Sequence, residues 1–306
     1  MAKILIWGLG VKYNLYINAI KYCELMGEIE IVGVTDKKEL YTCLDGYPFI
    51  PLEKIHLYDI DYVAITSQIN FKEIGQQAKQ IGFSEEQLIL ARVFALPGFQ
   101  FSKYQELLDS KISIIPNNCW GGVVYNTLGM KCLSPFINMF MVDLHYFRLL
   151  NNLDYYLHCK LQFKRYEHNP ILQSDYPVCG LDDVELHFNH STSMSEVEGK
   201  WYERVERLNW DNLFVMMMYS SGWPEALERF EKLDYKKKVC FLPFDSSQQS
   251  TYSLQTFYER DCGNLEFFWK CVNGIPQGVY QDYDLIDLLL TGKASHSRYY
   301  LKEKLK

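Results

Sequence analysis

Nowhere in these 306 residues does an apolar run approach the roughly 20 positions that a helix needs to span a bilayer. The longest such stretches, "SPFINMFMV" and "LFVMMMY", read as buried strands, so no membrane span is expected. The opening "MAKILIWGLG" lacks a signal peptide's long apolar core and small-residue cleavage site, which points to a cytoplasmic address. No CxxC pair occurs among the nine cysteines, whose odd number and wide spacing argue for reduced thiols rather than a disulfide frame or a zinc knuckle. Basic residues are too few to give a net positive charge: the balance is -7, and the only dense cluster, "DYKKKV", reads as a solvated loop. That excludes sequence-independent nucleic-acid binding, which requires a surface that neutralises phosphates. Repeats and low-complexity tracts are absent as well, so organisation must be sought in hydrophobic periodicity.

What is present is material for a large core, since 48% of residues are hydrophobic and 15% aromatic. The length favours two domains. "KILIWG", "EIEIVGVTD", "DYVAITS" and "QLILARVF" read as strands. Between them, "NLYINAIKYCELMG" has Leu15, Ala19, Tyr22 and Met26 at helical spacing, and "NFKEIGQQAKQIG" has Phe71, Ile74, Ala78 and Ile81. Strands alternating with helices imply right-handed crossovers and a mainly parallel sheet, a Rossmann-like domain over residues 1–98.

A second α/β domain, with a mixed or parallel sheet flanked by helices, is expected over 111–306. Its strands are "KISIIP", "SPFINMFMV", "VELHF", "NLFVMMMY" and "KVCFLPF". Its helices are "DLHYFRLLNNLDYYLH", "SEVEGKWYERVERL" with a capping box from Ser195 to Glu198, "PEALERFEKLD" with Pro224 at its first position, and "QDYDLIDLLLTG".

Three places carry candidate chemistry. "GLGVKY" follows a strand and opens a helix, so Gly8 and Gly10 would let the backbone approach a pyrophosphate, with Asp36 at the end of the next strand for a ribose hydroxyl. Tyr13 stands where the fingerprint has its third glycine, which weighs against a standard nicotinamide cofactor and leaves a purely structural turn as the alternative. "CGLDDVELHFNH" alternates so that Asp183, Glu185, His187 and Asn189 share one face, with Asp182 and His190 at the ends. Asp183 and Glu185 suit magnesium or manganese, and His187 suits a general base; the alternative is an edge strand whose polar side meets water. In "NNCWGG", Asn117 and Asn118 can cap a helix, and Gly121 and Gly122 would leave amides open to an anion beside Trp120. Cys119 there would have a lowered pKa, a nucleophile with His187 or His190 as base, unless its sulfur is simply packed. Asp211, in "NWDN" where a helix gives way to a strand, is a further ligand or base.

"NNCWGGVVYNTLG", "SPFINMF", "YPVCGLDDVELHFNH" and "KWYERVERLNWDNLFV", within residues 111–220, resemble the bacterial exopolysaccharide-biosynthesis proteins grouped as a domain of unknown function. The first domain, including "DGYPFIPLEKI", is similar to Rossmann-like modules that accompany sugar-nucleotide and polysaccharide enzymes. The resemblance implies surface-glycan assembly and supplies no catalytic residues. The expectation is a transferase that moves a sugar or substituted phosphate from a nucleotide-activated donor, with Asp183, Glu185 and Asp211 as metal ligands or base and the donor against residues 117–122. A cysteine hydrolase or acyltransferase built on Cys119, and a non-catalytic scaffold that binds a nucleotide sugar, are the alternatives.

Overall fold

Strand and helix patterns that alternate along a chain are satisfied most simply by parallel pairing, and the computed structural model pairs them so in both halves of an α/β protein. It describes residues 1–38, 42–219, 223, 225–254, 265–274 and 283–295. The chain divides into two units, Met1–Glu106 with Thr127–Gly129, and Leu107–Asn126 with Met130–Lys306. No described helix is long and apolar enough to cross a membrane.

In the first unit, β1 (Ala2–Trp7), β2 (Ile29–Thr35), β5 (Tyr62–Ile65) and β6 (Leu88–Leu90) form a parallel sheet in the order β2-β1-β5-β6. Helix α1 (Val11–Leu25) connects β1 to β2, and α2 (Phe71–Ile81) connects β5 to β6. The order reverses between β1 and β5, which leaves a crevice beyond their carboxyl ends. A hairpin of β3 (Cys43–Leu44) and β4 (Tyr47–Pro48) turns through Asp45 and Gly46, both at positive φ. Of "QLILARVF", only three residues are strand; Ala91–Ala95 coil into a 3-10 turn.

Helix α1 corrects the expected inner face. Tyr13, Ile17, Ile20 and Cys23 are buried, whereas Leu15, Tyr22 and Met26 are 55 to 58% exposed. A helix apolar on two sides does not reveal its inner face by periodicity. Here the choice includes Tyr13, whose hydroxyl donates to Asp45 Oδ2 at 2.9 Å across the hairpin.

In the second unit, β7 (Ser113–Pro116), β11 (Leu213–Met218), β12 (Lys237–Leu242) and β13 (Thr251–Ser253) form a parallel sheet in the order β13-β12-β11-β7. An antiparallel sheet of β8 (Gln162–Asn169), β9 (Ser174–Leu181) and β10 (Val184–His187) has the order β10-β9-β8. One apolar cluster lies under both sheets and joins Ile115, Val215 and Met217 to Leu181, Leu186 and Trp201. Helix α3 (Phe101–Asp109) precedes β7, and α4 (Trp120–Leu128) follows it. Further helices are α5 (Asp143–Asn151), α6 (Leu153–His158), α7 (Met194–Val205), α8 (Ala226–Lys232), Leu265–Gly274 and Leu285–Thr291.

Several expected elements differ. "SPFINMFMV" is not a strand: only Phe140 bridges, to His187. The long helix expected from Asp143 breaks at Asn152, whose φ of -151° and ψ of 54° leave the helical region. The cap of α7 is Ser193, which accepts from the Glu196 amide, two residues before the expected box. Pro224 lies outside the described residues.

Trp120 is fully buried, ring-stacked on Phe214 at 6.0 Å, and its indole N–H donates to Tyr283 at 3.3 Å. Trp120→Ala should therefore lower the unfolding free energy by about 3–5 kcal/mol. Trp210→Ala, at a side chain 45% exposed, should stay within about 0.5 kcal/mol. Urea denaturation followed by circular dichroism reads both.

Candidate functional site

Where β7 and β11 end side by side, two backbones leave the sheet and need new partners. Asn117, 4% exposed, supplies them: its Oδ1 accepts from the Met218 amide at 3.0 Å, and its Nδ2 donates to the Met218 carbonyl at 3.1 Å. The same Nδ2 lies 3.4 Å from Oδ1 of Asp143, a carboxylate 5% exposed at the start of α5. Tyr146, one turn along α5, shares its hydroxyl between the carbonyls of Ile115 at 2.6 Å and Met216 at 2.9 Å. Asn118 caps α4, accepting from the Trp120 amide at 2.9 Å. Asn117 therefore acts as a clasp between strands, and Asn118 alone fulfils the capping role expected of both.

The other members of this turn are packed. Trp120, expected to touch substrate, is core. A β-carbon on Gly121 would stand 3.1 Å from Pro116 Cγ, and one on Gly122 would stand 3.0 Å from Asn138 Oδ1. These glycines serve close packing of α4, not the open anion cradle expected from them. Cys119 Sγ is 3.8 Å from the Met139 carbonyl and 3.9 Å from Asn189 Oδ1. Burial pushes its thiol up to about 11 although the Asn189 contact pulls the other way, the reverse of the lowering expected at a helix start.

The row of polar residues around β10 is divided by the hairpin. Val184 pairs directly with Leu181, so Asp182 and Asp183 form the two-residue turn, with Asp182 at φ 54°. Asp183 accepts from Tyr156 at 2.7 Å and pairs with Arg148 at 3.1 Å. Glu185 and His187 do share a face, which also carries Arg165, Glu167 and Tyr176 of the neighbouring strands. Arg165 contacts Glu185 through two nitrogens, at 2.9 and 3.0 Å, and Glu167 at 2.6 Å. With Asp183 and Glu185 each committed to an arginine, the expected metal pair is not assembled; no group of three or more metal-type side chains occurs among the described residues.

His187 is 7% exposed, its ring stacked on Phe140 with centroids 4.5 Å apart. Its Nδ1 stands 3.4 Å from Glu167 Oε2, an ion-pair distance at an angle that makes no hydrogen bond. Tyr176 donates to that same carboxylate oxygen at 3.0 Å. Desolvation lowers the imidazole's pKa and outweighs the attraction of Glu167 and Glu185, so the ring is neutral at pH 7. Phe188, next along, points to the opposite face against Trp201. His190 lines a separate small cleft there with Asn138, Ser191, Lys200 and Arg204.

One segment connects the bend to β10. Met141 N–H donates to the Asn117 carbonyl at 3.0 Å, and Phe140 exchanges two 3.0 Å backbone bonds with His187. Asn117 and His187 thus lie two strand spacings apart, about 10 Å. Asp211 does not join them. It precedes β11, whose carboxyl end carries Met218, and is removed by the strand's length, about 20 Å.

In the first unit, Gly8 has φ 105°, and a β-carbon there would meet Thr66 Oγ1 at 2.6 Å; the Thr66 hydroxyl donates to the Gly8 carbonyl at 2.7 Å. A β-carbon on Gly10 would meet nothing within 4 Å. Asp36 accepts from the Leu9 amide at 2.6 Å and so shapes the turn. Asp143, Arg165, Glu167 and Tyr176 are functional candidates absent from the sequence reading. The period-2 alternation of Arg165 and Glu167 was the available signal.

Two measurements follow. At pH 7.5, alkylation mapped by mass spectrometry should label exposed Cys43 at least roughly tenfold faster than Cys119. The second concerns acid. Because the folded His187 pKa lies below its ordinary 6.5, the unfolded chain takes up the proton first, and stability falls as pH drops from 6.5 toward the depressed value. Glu167, held low by Arg165 and Tyr176 against its own desolvation, and Glu185, held low by Arg165, weaken the fold only below 4.5. His187→Gln should flatten the upper part of a denaturation-midpoint profile and leave the lower part, although His190, also lowered by burial, retains its own share.

Residues 1–89 match the family model described as C2185-like, N-terminal. A Haemophilus influenzae relative described as an uncharacterized protein is 33% identical over 185 residues, covering 60% of this chain and 85% of the relative. Residues 91–289, more than half of the chain, match the model of a domain of unknown function, DUF1919, and the protein belongs to that family.

Proposed function

We propose that this protein is a cytoplasmic transferase of glycan or exopolysaccharide assembly, moving a sugar or substituted phosphate from a nucleotide-activated donor to an acceptor hydroxyl. The observation that carries the reading is the His187–Glu167 pair. A neutral imidazole 7% exposed, with Nδ1 beside a carboxylate, is suited to general-base work at its other nitrogen. The acceptor O–H gives its proton to Nε2 while its oxygen forms the new bond to the sugar carbon or phosphorus, and the nucleotide leaves with the electrons of the broken bond. Glu167 stabilises the imidazolium that results. The glycan assignment extends the resemblance expected from the segments around Asn117 and His187; the family model that matches there carries no function of its own.

Taken by itself, the first unit carries a turn of the kind that binds nucleotides. Gly8 bends it at the crevice where the strand order reverses, and the open space at Gly10 lies at the N-terminus of α1. Such turns seat a pyrophosphate on backbone amides.

Calorimetric titration with a panel of nucleotide sugars, with and without manganese, tests the reading. At least one donor should bind. Gly10→Val, which the open space accommodates, should weaken binding at least about tenfold, the effect of one bulky side chain in a phosphate turn. His187→Gln should leave donor affinity unchanged and lower kcat by about 10²–10⁴-fold. Failure of every donor in both conditions, or an unchanged kcat in the His187 variant, would overturn it.

A further inference from the structure

Helix α1 spends only one side on the core of its unit. The other side carries Val11 and Leu25, each 82% exposed, Leu15 and Met26, each 58%, and Tyr22 at 55%. Residues 11, 15, 18, 22 and 25 repeat with spacing four-three-four-three, the seam by which one helix packs along another. The single polar member, the exposed Asn18, stands at its centre. A lone buried asparagine in such a seam fixes register and partner.

A protein that stays alone rarely leaves so much contiguous apolar surface on one helix. Five side chains of roughly 150–200 Å², exposed to this degree, present on the order of 600 Å². That is three quarters of the roughly 800 Å² per partner of a standard interface. We infer that the protein forms a two-fold dimer in which α1 packs antiparallel on α1 of a second copy, with Asn18 beside the axis.

The arrangement of the stripe favours a second copy over an unrelated helix. Turned about Asn18, it maps onto itself: Val11 and Leu15 of one helix lie over Tyr22, Leu25 and Met26 of the other, as an isologous interface requires. The helix dipoles favour the antiparallel sense, since it sets the positive N-terminus of each α1 beside the negative C-terminus of the other. The seam shares no residue with the His187–Glu167 pair that carries the transfer reading, so neither conclusion depends on the other, although Val11 adjoins the Gly10 turn.

The test is sedimentation velocity of the full chain at micromolar concentration. The unmodified protein should be a dimer. Leu15→Glu and Tyr22→Glu, both at exposed positions and so harmless to the fold by circular dichroism, should each raise the dissociation constant at least roughly 100-fold. Leu57→Glu, at a side chain 69% exposed elsewhere on the same unit, should leave it unchanged. A short bismaleimide on Asn18→Cys should yield a linked peptide joining position 18 to position 18. A monomer, a dimer indifferent to the α1 substitutions, or a dimer without the 18-to-18 link would each overturn the antiparallel pairing.

Discussion

The side-chain amide of Asn117 holds together the part of the second unit on which everything else is arranged. At the end of β7 the chain turns away while its neighbour β11 continues to Met218, and the amide closes on both backbone groups of Met218. Leaving these buried groups unpaired would cost about 1–3 kcal/mol apiece. The consequence extends beyond the clasp, because the carbonyl of the same residue receives the Met141 amide, and Phe140 beside it bonds to His187. One polar residue thereby fixes the distance between the parallel sheet and the antiparallel one. Apolar packing beneath the sheets is strong and largely directionless; hydrogen bonds of this kind select a single register.

On the far side of that link, charge is distributed to keep one imidazole uncharged. Arg165 lies between Glu167 and Glu185, and all three are at least partly exposed, so their ion pairs add little to stability. Their role is positional. With the arginine engaging both carboxylates, the attraction that would charge His187 is partly offset, and its burial against Phe140 decides the outcome. Desolvation thus wins over two neighbouring acids.

Cys119 shows how position alone misleads. It lies just before a helix, where amide dipoles favour a thiolate, yet burial beside Met139 and Asn189 carries its pKa the other way. A helix start lowers a thiol's pKa where solvent or a cation stands beside the sulfur. Cys119 instead has the Met139 carbonyl and the Asn189 amide oxygen as neighbours and is largely covered. Asp143 is the complementary case, an acidic residue that passes for an ordinary helix start until the fold sets it beside Asn117.

By itself the sequence determined the α/β class, most of the parallel strands, helix α2 and the Gly8 turn, because these rest on short-range periodicity and on backbone conformations that few residues adopt. It also placed Glu185 and His187 on one face, since alternation along a strand is local. Only the tertiary structure decided which side of α1 is buried, because both sides are apolar and the answer depends on Tyr13 meeting Asp45 across the hairpin. Likewise, that Asp183 belongs to a turn, that Asp211 stands at the wrong end of β11, and that Glu167 lies beside His187 are matters of strand pairing between distant segments. Pairing is set by which hydrogen bonds and apolar faces close together in space, and no window of neighbouring residues contains that information.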